Sequence, residues 1–241
     1  MVFIAGVHGS GTSLLHELDL SEFADDDGIA ESSVIFSHGE EVWVALARVD
    51  RTDGWTPVES AELLLINASA TPPELVDLDE QSEGVQGIRL PSIGIRQVRV
   101  DPRDPDRVYL LGNGIATVDL QARTAQWAVT DDQMAQAGLD NQLLPQSFDI
   151  TDDAKTFILA AYRPDFSGVD IYEVPTSGGV PTSLVDGLNA VERTLEVIGD
   201  EIWFGDTTVG GSGLRGFELD GTALLDSPLS TGLDPYAVAE L

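Results

Sequence analysis

Five times along the chain a short apolar strand carries an aromatic residue in second place: Phe3 in "VFIAG", Trp43 in "VWVAL", Tyr109 in "VYLLG", Phe157 in "TFILA" and Trp203 in "IWFGD". Successive aromatics are 40, 66, 48 and 46 residues apart, and joining the tail to the head gives a fifth step of 41. Aromatic residues make up only 7% of the sequence, too few for such a recurrence to arise by chance. A period in the forties marks repeated units that bury their apolar faces against one another. Between these strands run other short alternating segments broken by Gly, Asp, Pro and Ser, with no sustained 3.6-residue periodicity.

Each aromatic strand is followed by another that ends in a polar turn: "LLHELDLS", "AELLLINAS", "GIATVDLQ", "GVDIYEVPT" and "LRGFELDG". The last four are also preceded by one: "SSVIFSHGEE", "RQVRVDPRDPD", "SFDITDDAK" and "TLEVIGDE". The first unit lacks this leading strand, and the final "DPYAVAEL" supplies one with nothing after it. The pattern predicts an all-β chain, a single five-bladed β-propeller of four-stranded antiparallel blades whose first blade is closed by the C-terminal strand. Such closure also covers a sheet edge. The expected blades are 1–30 plus 234–241, 31–92, 93–144, 145–190 and 191–233. The five aromatics are expected to lead the packing between blades.

"VRVDPRDPDRVYLLGNGIATVDLQART", "GDEIWFGD" and "DPYAVAEL" resemble the repeats of bacterial YncE-like (YVTN-type) β-propellers and related secreted lipoprotein propellers. The likeness runs over nearly the whole chain, as an apolar inner strand, an acidic turn, an aromatic second strand and a Val-Asp-Leu third strand. It implies a periplasmic, cell-surface or secreted protein. Members commonly have seven blades, whereas five units are counted here. The opening "VHGSGTSLL" also resembles the loop by which sulfotransferases hold a phosphosulfate donor, and more loosely a P-loop. That reading needs a cation where Gly9 stands and helices after residue 20; a P-loop needs Lys in place of Thr12. Within the repeat the same letters fill the slot of a hairpin connection, so a β-hairpin is expected.

Charge narrows the partners. The formal net charge is −30: Lys155 is the one lysine, beside eleven arginines and 42 acidic residues. Such a surface repels nucleic acid and anionic lipid. Absence of cysteine excludes disulfides and thiolate chemistry. No run approaches the roughly 18 apolar residues of a membrane span, and "MVFIAGV" is too short for a signal peptide. A monomer without a cofactor is expected.

In a propeller the loops joining second to third strands, and those joining blades, share one face. Here they are the long ones, among them "RVDRTDGWTPVES", "DEQSEGVQGIRLPSI", "TDDQMAQAGLDNQLLPQ" and "YRPDFS". Long loops on a rigid scaffold carry binding residues, which makes this the expected working face, with Trp55 and Arg163 as loop contacts. Ser32, Arg96, Gln146, Arg193 and Tyr236, with Asp234, are expected at the mouth of the central channel. Its two arginines either bind an anionic ligand group or are neutralised by Glu31, Glu192 and Asp234 as internal struts. The same carboxylates offer the pair a glycoside hydrolase needs, but no family motif surrounds them. His8, His16 and His38 lack zinc-site spacing, and no Gly-x-Ser-x-Gly elbow occurs. Asp101, Asp104 and Asp106 in "DPRDPD" suit either a weak surface Ca²⁺ site or plain turn chemistry. The expected function is therefore non-catalytic recognition or scaffolding of a protein or glycan, with a carbohydrate-active hydrolase or lyase as the rival.

Overall fold

The computed structural model of the chain describes residues 2–8, 11–24, 27–50, 56–57, 60–141, 145–189, 191–208, 211–232 and 235. Strands β1 (Val2–His8) and β2 (Gly11–Leu18) pair antiparallel, so the opening stretch is a hairpin and not a strand leading into a helix. Sheet I follows, with β3 (Ser32–His38), β4 (Glu41–Leu46), a small ribbon of β5 (Val49–Asp50) and β6 (Thr56–Pro57), then β7 (Glu62–Asn67). Its outer edge is divided: β8 (Glu74–Val76) and β9 (Ile88–Arg89) pair with opposite ends of β7.

Sheet II is the meander β10 (Gln97–Asp101), β11 (Asp104–Leu111), β12 (Ile115–Asp119) and β13 (Thr124–Val129). Sheet III repeats it as β14 (Pro145–Ile150), β15 (Thr156–Tyr162), β16 (Val169–Pro175) and β17 (Thr182–Leu188). Sheet IV holds three strands, β18 (Val191–Ile198), β19 (Glu201–Asp206) and β20 (Gly213–Glu218). Where a fourth was expected, Ala223 and Leu229 make isolated bridges to Phe217 and Leu214. Between sheets II and III lies α1 (Asp131–Gln136), which strand periodicity did not predict. Its sequence signal is a capping box, in which Thr130 Oγ1 accepts from the Gln133 N–H and Gln133 Oε1 from the Thr130 N–H. Met134 from this turn is fully buried against Phe148 and Phe157. Among the described residues no helix is long and apolar enough to cross a membrane.

Alternation along each strand feeds two cores at once. In β11, Val108 and Leu110 enter the core between sheets I and II, while Tyr109 and Leu111 enter the one between II and III. A third core joins III to IV, and a fourth seats Leu20 and Phe23 on the far side of sheet I. Strands such as "ELLLIN" are buried on both faces and read as continuous apolar runs.

Trp43, Tyr109 and Phe157 are buried in these cores as expected, with the last two edge to face at 4.8 Å. The side chain of Phe3 lies outside the described residues. Trp203 is less buried than Trp43, Tyr109 and Phe157. Ile202 and Phe204 fill the core against sheet III, so alternation turns Trp203 to the other face, where it is half-buried and its Nε1–H donates to Glu201 Oε2 at 2.8 Å.

The first strands of successive sheets adjoin, and side chains of β10 and β14 reach the backbone of the strand that follows. Gln97 Oε1 accepts from the Phe148 N–H at 2.9 Å, Ser147 Oγ from Leu195 N–H at 2.9 Å and Asp149 Oδ2 from Val197 N–H at 2.7 Å. These strands are sheet edges, and such bonds satisfy groups that would otherwise face the centre unpaired.

Candidate binding surface

Antiparallel order sets which loops share a face. On one face the turns 39–40, 102–103 and 199–200 are tight. On the other lie 47–61 with its β5–β6 ribbon, 77–96, 130–144 with α1, 163–168 and 207–212. Trp55 falls outside the described residues, between the two strands of that ribbon.

Of the expected channel-mouth residues, Ser32 is exposed at the start of β3. Arg96 immediately precedes β10 and reaches the next sheet, its Nη1 donating to the Pro145 carbonyl at 2.7 Å; burial pushes its pKa down to about 10. Gln146 donates to the same carbonyl at 3.2 Å. Arg193 lies in β18 with its side chain outside the described set, as are Asp234 and Tyr236 entirely. Glu31 is buried, and its Oε2 accepts from the Val49 N–H at 3.4 Å, at the root of the 47–61 loop.

The charged cluster at the centre is one the sequence reading missed. Arg99 of β10 places Nε 3.0 Å from Asp149 Oδ1 of β14 and Nη2 2.7 Å from Glu196 Oε1 of β18. The first contact is ionic, since the Nε–H is not aimed at the oxygen. One guanidinium therefore ties three consecutive sheets. Burial pushes the Glu196 carboxyl above its ordinary value; Arg99 pulls it back and the neighbouring Asp149 adds to the rise. The signal was a charge set between apolar residues in each first strand, "VRV", "FDI" and "LEV".

Arg163 is held as a clamp. Its Nε and Nη2 meet both carboxylate oxygens of Asp170 at 2.8–3.1 Å, and Gly187 N–H donates to Asp170 Oδ1 at 2.9 Å. Burial raises the Asp170 pKa, but the fork and the N–H outweigh it and leave the group below its ordinary value. Above the clamp the loop turns at Phe166, whose N–H donates to the Arg163 carbonyl at 2.8 Å. Phe166 sits at φ 56°, a left-handed conformation that bulky residues rarely adopt. The residue is 52% exposed, and the Tyr162 ring lies beside its own at 5.7 Å. The loop "YRPDFS" was singled out for its arginine; the residue it presents is the phenylalanine.

The aspartates of "DPRDPD" are engaged by protein groups. Asp101 accepts from Tyr109 Oη at 3.1 Å, Asp104 meets Arg107 at 3.1 Å, and Asp106 meets His38 at 2.9 Å. Among the described residues no group of three or more His, Asp and Glu gathers as a metal site.

Antiparallel meanders stacked face to face in chain order, with first strands adjoining, define one architecture. The fold is a β-propeller. No protein-family model matches the chain, and no curated protein matches it in sequence. Its propeller is similar to solved structures at low identity. TolB from Acinetobacter baumannii is 11% identical over 77% of this chain and 39% of that one, with a TM-score of 0.44. The β-propeller domain of the trilobed protease from Pyrococcus furiosus, described as having an open velcro topology, is 10% identical over 83% and 59%, at 0.45. A putative 6-phosphogluconolactonase from Bacteroides uniformis is 13% identical over 91% and 62%, at 0.52. The chain thus spans less than two thirds of each of these structures, and the likeness is one of fold.

Proposed function

We propose that this propeller is a non-catalytic recognition or scaffolding module of YncE-like type, working outside the cytoplasm and holding a protein or glycan ligand on its long-loop face. Phe166 carries the reading. A large apolar residue set half out to solvent by a left-handed backbone, with Tyr162 alone as its ring neighbour among the described residues, lies outside the cores between sheets; strain kept at an exposed aromatic points to recognition. The rival hydrolase needs two carboxyls about 5–10 Å apart around an open cleft. Asp149 and Glu196 instead share Arg99, and Glu31 is engaged with Val49, which favours the binding reading.

The same proposal includes five blades, the first completed by residues 234–241. The Pro235 carbonyl lies so near Gly205 that a Cβ there would come within 2.4 Å of it, so Pro235 sits against the end of β19 next to the long-loop face. Trp203 lies on the face of sheet IV turned away from sheet III, which a closing blade would cover.

Wild type, Phe166→Ala and Trp55→Ala are to be titrated against a panel of glycans and envelope proteins. Phe166→Ala is expected to weaken binding on the order of tenfold with its melting temperature unchanged. Binding that neither substitution weakens overturns the proposal. Polysaccharide hydrolysis lost on Glu196→Gln or Asp149→Asn also overturns it.

A further inference from the structure

Away from the long-loop face, the outer edges of the sheets are not equally protected. The edge of sheet I is divided between β8 and β9, and that of sheet IV is overlain by the 222–229 segment. The edge strand of sheet III, β17, carries Asp186 and Gly187 and pairs with two register irregularities. Interruption, charge and bulging are the devices that prevent a sheet edge from pairing further. Strand β13 has few of them. "TAQWAV" contains no charge, proline or glycine, and its one irregularity falls at its end, before Val129. Among the described residues no backbone group of 124–128 bonds to anything beyond β12.

Beside this edge runs a groove of about 480 Å³ between sheets II and III, walled on the far side by Thr176 and Ser177. Two cross-strand rows lead into it, Tyr109–Thr117–Gln126 and Arg107–Asp119–Thr124. Arg107 is paired with Asp101 and Asp104, and among the described residues the exposed Asp119 meets no cation and accepts from the Ala122 N–H alone.

The geometry points to β13 as a docking edge for an extended cationic peptide segment of a partner protein, added to sheet II as a further strand. Main-chain bonds to 124–128 supply the affinity. Alternate side chains of the added strand enter the groove, where a Lys or Arg beside Thr124 reaches toward Asp119. Charge selects this occupant over a second copy of the chain, since two molecules of net charge −30 repel each other.

The test uses the full chain and a labelled probe peptide, Lys-Val-Thr-Val-Lys-Val. Its controls are an equally charged version N-methylated at alternate residues and a version with Glu for Lys. The probe is expected to bind and to slow hydrogen exchange at residues 124–128, while both controls fail. Gln126→Lys, at an exposed position, is expected to weaken binding on the order of tenfold, and Gln126→Glu to strengthen it. Phe166→Ala leaves it unchanged. Equal binding of the N-methylated probe overturns the assignment, as does protection elsewhere than β13. Dimerisation lost on Gln126→Lys would also overturn it, by making a second copy the occupant.

Discussion

Arg99 is the residue whose removal has the clearest expected outcome. It stands between Asp149 and Glu196, both partly withdrawn from water. Arg99→Met leaves the two carboxylates facing each other and should cost about 2–3 kcal/mol, less than for a fully buried pair because some solvent contact remains. Chemical denaturation measures this, and adding Glu196→Gln should restore part of the loss. Glu196 also sets a pH signature. Its folded value lies above the ordinary 4.5, so its stabilising contribution is full below that pH and is lost as pH rises through the raised value. Glu196→Gln removes this dependence, and melts between about pH 4 and 7 should show the variant gaining on wild type as pH rises. A variant that loses ground to wild type as pH rises would contradict the assignment. Arg99 was hidden in the sequence because its role depends on which first-strand positions face the centre, and that is set by register between sheets. Arg96 was legible as a cation at a strand start; its carbonyl partner in the next sheet was not.

At the scale of elements, strands and their order were readable, because five aromatic strands with turns at fixed offsets leave few alternatives. The facing of those aromatics was not readable. Tyr109 pairs across to Arg99 and Trp203 to Glu196, the charged positions of their first strands, whereas Phe157 pairs to Ile150, one residue past Asp149. Tyr109 therefore faces the following sheet and Phe157 the preceding one, and the two meet in one core. Short elements were also lost: α1 has too few residues to show helical period, and β9 returns to β7 only after an excursion tied by Asp77, whose Oδ1 accepts from the Asp79 and Gln86 N–H groups. One close approach tests the tail. Gly205→Ala drives a Cβ against the Pro235 carbonyl, a backbone atom that cannot swing away as a side chain would. A destabilisation of about 1–3 kcal/mol is expected; an unchanged denaturation midpoint would mean that the tail does not press on β19.

For the whole molecule, composition set the electrostatic terms before any fold was known. A charge of −30 stored in one compact body repels itself, and the Debye length shrinks to about 10 Å at 0.1 M salt. Melting temperature should therefore rise with sodium chloride between about 0.05 and 1 M; a fall would show that the interior ion pairs outweigh the surface. The contacts between first strands add a further property. Gln97 serves the backbone of β14, and Ser147 and Asp149 serve that of β18, each in the direction of the chain. Support therefore has a sense of rotation: melting sheet II strips acceptors from sheet III, while melting sheet IV leaves the N–H groups of sheets II and III satisfied. A cut in one blade should thus loosen the first strand of the blade after it before that of the blade behind.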